Sequence, residues 1–225
     1  MFDNNRPYRP LADILRPAAF NEIIGQPALA ATGLEQLTSG SLVLWGPPGT
    51  GKTTIARVLG GESDAFFVAI SAVFDGVGEL RKVFAAAEAR AHDNIQTILF
   101  VDEIHRFNKA QQDALLPAVE AGIIRLIGAT TENPSFSLNS ALLSRVQIIV
   151  LGALDEAALH QLVSRAEAHY ERNLPVTDDA RAAVVAYADG DGRYVLNLVE
   201  RLYEAAGDAV LGTDEVARIL SQRAL

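Results

Sequence analysis

Cysteine is absent from the 225-residue chain, which excludes disulfides, thiolate metal sites and a cysteine nucleophile, and is compatible with a reducing compartment. Metal-ligand spacing is absent from the four histidines, His92, His105, His160 and His169; His160 and His169 stand nine apart on a predicted helix and read as surface residues. No apolar run approaches the length needed to cross a bilayer. The opening MFDNNRPYRP carries no apolar core of a secretory signal, so a soluble cytoplasmic protein with no membrane partner is the simplest account. A basic excess is missing too. The formal net charge of −9 argues against a surface coated for gripping phosphates. The bias is uneven, with 13 acidic against 7 basic residues over 151–225 and 15 against 12 over 1–150. Contact with nucleic acid would need a local basic face, on the N-terminal part or assembled across subunits. Neither an internal repeat nor a low-complexity segment is visible.

What is present is an ordinary globular balance, 49% hydrophobic and 21% charged, in a chain long enough for one large domain or a core with an appendage. Residues 1–27 contain proline and arginine, have little periodicity before Phe20–Ile24, and predict an irregular N-terminal arm. Over 28–152, strand-length apolar runs (41–46, 65–71, 96–102, 123–131 and 146–151) alternate with helical patterns at 52–61, 76–91, 108–121 and 138–144. Near-continuous apolar strands are buried on both faces, so the class is α/β: a five-stranded parallel sheet flanked by helices, with right-handed crossovers. After Leu151 the spacing becomes purely helical, predicting a small all-helical subdomain over 153–225 with Asp155, Asp178 and Thr213 as N-caps.

GPPGTGKT (Gly46, Pro47, Pro48, Gly49, Thr50, Gly51, Lys52, Thr53) directly follows the strand LVLW and directly precedes a helix. The glycines permit backbone conformations that turn several N–H groups toward phosphate oxygens, and the helix start adds the positive end of its dipole. Lys52 is then expected on the β- and γ-phosphates of ATP and the Thr53 hydroxyl at a Mg²⁺ position. Thr54, the next helical residue, closes the nucleotide-binding set. A plain Gly/Pro turn is the alternative, disfavoured because every fixed position and both flanks are satisfied. Trp45, which ends an apolar strand, reads as core.

ILFVDE (98–103) is an apolar strand ending in two carboxylates, and the C-terminal edge of a parallel sheet faces the ligand crevice. Asp102 is expected to hold Mg²⁺ and Glu103 to polarise the attacking water. LIGATT (126–131) ends in hydroxyl residues, of which Thr131 is the candidate to position water or sense the γ-phosphate, with Asn133 as competitor. Arg145, in ALLSR, either pairs with an acid on its own surface or serves as an arginine finger in a neighbouring subunit. Arg193, opening a helix after GDG (190–192), either stays on its helix or folds back on the phosphates and makes the helical subdomain a lid.

Together these residues resemble an AAA+ ATPase of the clamp-loader clade, and more closely the replication-associated recombination protein A family (MgsA/RarA), kin of the Werner helicase-interacting ATPases. The passages that carry the match are PLADILRP (10–17), IIGQ (23–26), LWGPPGTGKTT (44–54), ISAVFDGVGELRKV (70–83), LFVDEIHRFNKAQQDALLPAVEAG (99–122), IRLIGATTENPSFSLNSALLSR (124–145) and GDGRYVLNLVE (190–200). HRFNKAQQD and GATTENPSF are far more specific than the generic ATPase motifs. The resemblance implies an adenine-side wall from Arg16, Pro17, Ile23, Ile24, Gly25 and Gln26. It also implies Thr131 as sensor 1, Arg145 as arginine finger and Arg193 as sensor 2. A DNA-stimulated ATPase of replication-fork maintenance and recombination is implied, nucleoid-associated, acting on forked or gapped DNA and single-stranded ends, with replication proteins and further copies of itself as partners. Family members continue into a C-terminal tetramerisation region, so a fragment or a short natural relative is expected.

Arg106, Lys109, Gln111 and Gln112 follow the acids on one predicted helix, which reads either as a coupling element between DNA and hydrolysis or as a solvated face. Two rival functions stand beside the ATPase of fork maintenance: a branch-migration motor of the same superfamily, and a nucleotide-dependent binding module that does not hydrolyse.

Overall fold

The computed structural model describes residues 8–207 and 209–221. In chain order a single turn, α1 (Leu11–Ile14), precedes α2 (Pro27–Thr32) and α3 (Leu34–Ser39). Strands and helices then alternate through β1 (Leu42–Trp45), α4 (Lys52–Gly61), β2 (Phe66–Ser71), α5 (Val77–His92), β3 (Thr97–Asp102), α6 (Lys109–Glu120) and β4 (Ile124–Thr130). Two short turns, α7 (Pro134–Ser137) and α8 (Ser140–Leu143), lead to β5 (Gln147–Val150). Last come α9 (Glu156–Tyr170), α10 (Asp178–Ala188), α11 (Gly192–Ala206) and α12 (Thr213–Ser221). The chain divides into two units: residues 17–152 form one, and residues 8–16 join 153–221 in the other. The start of the segment read as an arm thus goes with the helical unit. None of the described helices is long and apolar enough to cross a membrane.

The sheet runs β2–β3–β4–β1–β5, all parallel, as its apolar runs predict. Every strand therefore ends at the same edge. The three central strands are buried nearly throughout, whereas the edge strands β2 and β5 are partly open. On β2 the Arg90 guanidinium lies 3.7 Å from the centre of the Phe66 ring, a charge that shields an open edge. Alternate side chains build a core on each face. Leu44, Phe100 and Ala129 join Leu29, Leu37, Ile55 and Leu59 on one side; Val43, Leu99, Val101 and Leu126 join Leu80, Val83 and Leu115 on the other.

Helix starts follow side-chain capping. Asp155 accepts from the Ala158 amide at 2.8 Å, as expected, but α10 is capped by Thr177, which accepts from Ala180, and Asp178 is its first helical residue. There its charge favours the helix dipole instead. Thr213 likewise lies inside α12, whose start is closed by Glu215 accepting from the Gly212 amide at 2.8 Å. The helix predicted over 138–144 is the single turn α8, capped by Asn139; a second turn, α7, capped by Asn133, comes before it, and Leu138 between the two is extended. α2 and α3 were not legible: Pro27 starts the first, and Gly33 at φ 81° breaks it from the second.

Within the helical unit, Arg181 holds Glu167 through both guanidinium nitrogens, Nη2 at 2.9 Å from Oε2, and the Leu174 amide donates to Oε1 at 2.9 Å. These contacts, the Arg181 hydrogen bond foremost, keep the Glu167 carboxyl below the ordinary glutamate value despite burial. A depressed carboxyl stabilises fully above the unfolded pKa of about 4.3 and loses that contribution as pH falls through its lowered value. Glu167→Gln is expected to cost roughly 1.5–3 kcal/mol at neutral pH, with the gap to wild type closing at acidic pH, below the unfolded value of about 4.3. Urea melts at both pH values check this; a gap that stays constant contradicts it.

Candidate nucleotide site

The loop that leaves β1 is shaped by close approach. A Cβ on Gly46 would lie 2.4 Å from the Leu151 carbonyl oxygen, a backbone atom that cannot swing away. Gly49 and Gly51 have φ of 71° and 90°, the left-handed region that side chains disfavour. Gly51 is the N-cap of α4, so the free amides of the first helical turn and their dipole face the loop interior. Lys52, 8% exposed, donates through Nζ to the carbonyls of Gly46 and Pro47, both at 2.8 Å. Thr50, also buried, bonds back to the Pro47 carbonyl at 3.0 Å. The Lys52 ammonium is thus held within the loop beside the free amides of the first turn of α4, a combination whose chemistry suits phosphate oxygens.

β4 separates β1 from β3, so the loop and the end of β3 stand about 10 Å apart by strand spacing. Thr53, in the first turn of α4, closes the distance: its Oγ1 lies 3.4 Å from Asp102 Oδ2. Neighbouring ligands of an octahedral Mg²⁺ at about 2.1 Å are about 3 Å apart, so these two oxygens suit one hexacoordinate ion. Among the described residues no cluster of three or more His, Cys, Asp and Glu side chains offers an alternative metal site.

Glu103 follows with φ 53° and ψ 46°, a left-handed conformation unusual for a glutamate, and its amide donates to Asp102 Oδ1 at 3.1 Å. The short turn Ile104–Arg106 is pinned by Ile104, which fills space that Gly128 of β4 leaves free; a Cβ there would be 3.1 Å from Ile104 Cδ1. His105, in that turn, contacts Thr130 and Glu103. Neither His105 nor Thr130 was singled out for the site from sequence, where Thr131 was preferred. The one available signal was their nearness to the acids and to the end of β4.

The other expected residues divide. Gln26 is 7% exposed and its Nε2 donates to Thr50 O at 3.2 Å and Gly152 O at 3.0 Å, while its Oε1 is buried without a partner. That orphan acceptor beside the phosphate loop is consistent with a donor such as an adenine amino group. Ile24 and Gly25 precede it, Gly25 at φ 71°. Pro17 begins the sheet unit, but Arg16 belongs to the helical unit, ion-paired with Asp13. Arg193 is an exposed residue at the start of α11, also in the helical unit. Thr131 lies one residue beyond β4, half buried, and Thr54 is half buried on α4. Asn133 spends its side chain as the cap of α7, accepting from Ser135. Arg145 takes the surface pairing: Nη2 is 2.5 Å from Glu120 Oε1, and Nη1 reaches Ala141 O and Ser144 Oγ at 2.8 Å.

The polar face expected on α6 is smaller than it reads. Gln112 is 4% exposed and ties Phe107 O, Ser137 O and the Asn139 amide together; Gln111 completes a capping box with Asn108. Both amides are structural; of the four residues only Arg106 and Lys109 are exposed, and Arg106 lies not on α6 but in the short turn Ile104–Arg106, which extended Phe107 separates from it.

A phosphate loop and an acidic strand end on a five-stranded parallel sheet define a P-loop nucleotide-binding fold, and the chain belongs to the AAA family of ATPases ("ATPase family associated with various cellular activities"), whose model matches residues 42–154. More particularly, it is similar to replication-associated recombination protein A. The identity is 45% to the protein of Coxiella burnetii (90% of this chain, 48% of that one) and 41% to that of Escherichia coli (96% and 52%). ATPase WRNIP1 of Dictyostelium discoideum is 40% identical over 88% of the chain and 24% of its own length. The chain therefore spans about half the length of the bacterial relatives. Among solved structures, the Thermotoga maritima RuvB Holliday junction branch migration motor superposes with a TM-score of 0.72 at 28% identity, covering 92% of this chain and 72% of that one.

Gly46→Ala must move the loop or Leu151, a strain of about 1–3 kcal/mol. It is expected to weaken binding of a fluorescent ATP analogue by roughly tenfold or more while the sheet still folds. Unchanged affinity would mean that the close approach does not shape the cradle.

Proposed function

We propose that the chain hydrolyses ATP and that this hydrolysis drives remodelling of DNA at replication forks and in recombination. The observation that carries the ATPase reading is the meeting of Thr53 with Asp102 at 3.4 Å beside the buried Lys52 ammonium. Lys52 and the loop amides bind the β- and γ-phosphates and neutralise charge that builds as ADP leaves. Thr53 and Asp102 hold Mg²⁺, which when bound neutralises and orients the phosphates. Glu103 accepts the proton of the water that attacks the γ-phosphorus. Thr131 senses the γ-phosphate, and Gln26 with Ile24 and Gly25 walls the adenine.

Arg145 supplies positive charge to the nucleotide of a neighbouring copy, for which it exchanges its present partner, the exposed Glu120. Arg193 gives the helical unit a lid function. The names of the replication-associated relatives support the setting in replication and recombination, and DNA and replication proteins as partners, at the nucleoid, complete the proposal. Likeness to the RuvB motor supports a second reading, branch migration, tested by displacement of strands from a four-way junction.

Glu103→Gln is expected to keep ATP bound and slow turnover by roughly a hundredfold or more. Wild-type turnover in that variant removes Glu103 as the water-activating group, and absence of turnover in the wild type leaves only a binding module. Specific activity is expected to rise with protein concentration and to lose that rise in Arg145→Ala; a flat profile in the wild type excludes a finger acting between copies. Charge reversal at Arg106 and Lys109 is expected to abolish stimulation by forked DNA while basal turnover stays. Intact stimulation assigns the two residues to a solvated face.

A further inference from the structure

His105 occupies the middle of a polar chain that joins the acidic strand end to the end of β4. Its side chain is only 4% exposed, although both neighbours that flank it in the chain of contacts reach solvent. Nδ1 lies 2.9 Å from Thr130 Oγ1 and 3.3 Å from Glu103 Oε2, and Nε2 is 3.5 Å from Glu132 Oε1. Thr130 is fully buried, and its hydroxyl is already engaged with the Glu132 backbone: it accepts from the amide at 3.0 Å and donates to the carbonyl at 3.2 Å. A hydroxyl carries one proton. With that proton on the Glu132 carbonyl, Nδ1–H donates to Thr130 Oγ1, the tautomer being assigned from this network, and the Glu103 carboxylate stands beside Nδ1 at 3.3 Å in electrostatic contact.

The ring itself cannot drift. Ile104 before it is fully buried against Gly128, and Phe107 after it is 2% exposed, so the turn is anchored on both sides of His105. Glu103 is different: its side chain is 35% exposed, and a glutamate has rotamer freedom that a water-activating group must surrender.

We infer that His105 is a positioning residue for hydrolysis: its ring, hydrogen-bonded to Thr130 at the end of β4, stands 3.3 Å from the Glu103 carboxylate and holds it by electrostatic contact. The inference rests on the reading of Glu103 as the group that accepts the proton of the attacking water. It assigns His105 no contact with nucleotide. Lys52 and the cradle glycines are held by other bonds, so the effect falls on turnover and spares affinity.

The test compares wild type with His105→Ala, His105→Asn and His105→Gln in the full chain, reading ATP turnover, affinity for a fluorescent ATP analogue and melting temperature. An Asn amide stands near the place of Nδ1, and a Gln amide near that of Nε2. His105→Ala is expected to lower kcat by roughly tenfold or more with affinity held within about twofold. Asn should restore most of the loss and Gln little. In a Glu103→Gln background, His105→Ala should slow turnover no further, because the two act as one unit. A wild-type or faster rate in His105→Ala overturns the inference, and so does a loss of affinity in step with the rate. Equal rescue by Asn and Gln overturns it too, since packing would then explain the loss. Should the alanine variant fail to fold, the Asn–Gln difference decides alone. Absence of turnover in the wild type defeats the ATPase reading and this inference with it, whereas an active wild type matched by His105→Ala defeats this inference only.

Discussion

Thr53 and Asp102 meet because β4 lies between the strands that lead to them and the phosphate loop (46–51) after β1 starts α4 where its first turn carries the hydroxyl across the end of β4. The distance between them is therefore set by the sheet together with the loop that starts α4. A parallel sheet brings all its strand ends to one edge, and in this chain β1 delivers the phosphate loop, β3 the carboxylates, β4 a buried hydroxyl and β5 the Leu151 carbonyl that Gly46 approaches. Parallel register is rigid, with Trp45 opposite Thr130 and Ser71 opposite Asp102. A slip of one residue would invert which side chains face each core, and the two buried faces make that prohibitive.

The acidic end is held by packing that looks unrelated to chemistry. Gly128 sits within β4, where glycine usually weakens a strand. Its missing side chain leaves the room that Ile104 occupies, against Val43 from the next strand. That anchor follows Glu103 immediately, so the left-handed backbone at Glu103 is braced by a side chain one residue on. Strain of this kind persists only where the surroundings fix it, and here the sheet core does so.

Much of this was legible in the chain. Strands buried on both faces leave near-continuous apolar runs, and all five run at their predicted places to within a residue or two. The phosphate loop and the acidic pair are local patterns that need only a strand before them. What failed to show was whatever depends on tertiary contact. Gln112 looks like a solvent-facing amide on an exposed helix, yet it is a buried tie between α6 and the α7–α8 segment. Thr130 and Thr131 are equivalent hydroxyls by sequence; the strand's end decides which one turns inward. His105 carries no spacing signal, since its hydrogen-bond partner Thr130 comes from β4. Caps were misplaced by one residue where Thr177 and Asp178 compete for the same role, because both residue types favour it.

Gln26 binds two carbonyls with a single nitrogen, one in the phosphate loop and one at Gly152, the last residue of the sheet unit before the chain crosses to the helices. An amide group is planar and rigid. A displacement of Gly152 therefore either breaks a hydrogen bond of the Gln26 amide or draws on its bond to the Thr50 carbonyl. The nucleotide cradle and the exit of the chain share one mechanical link a few atoms long.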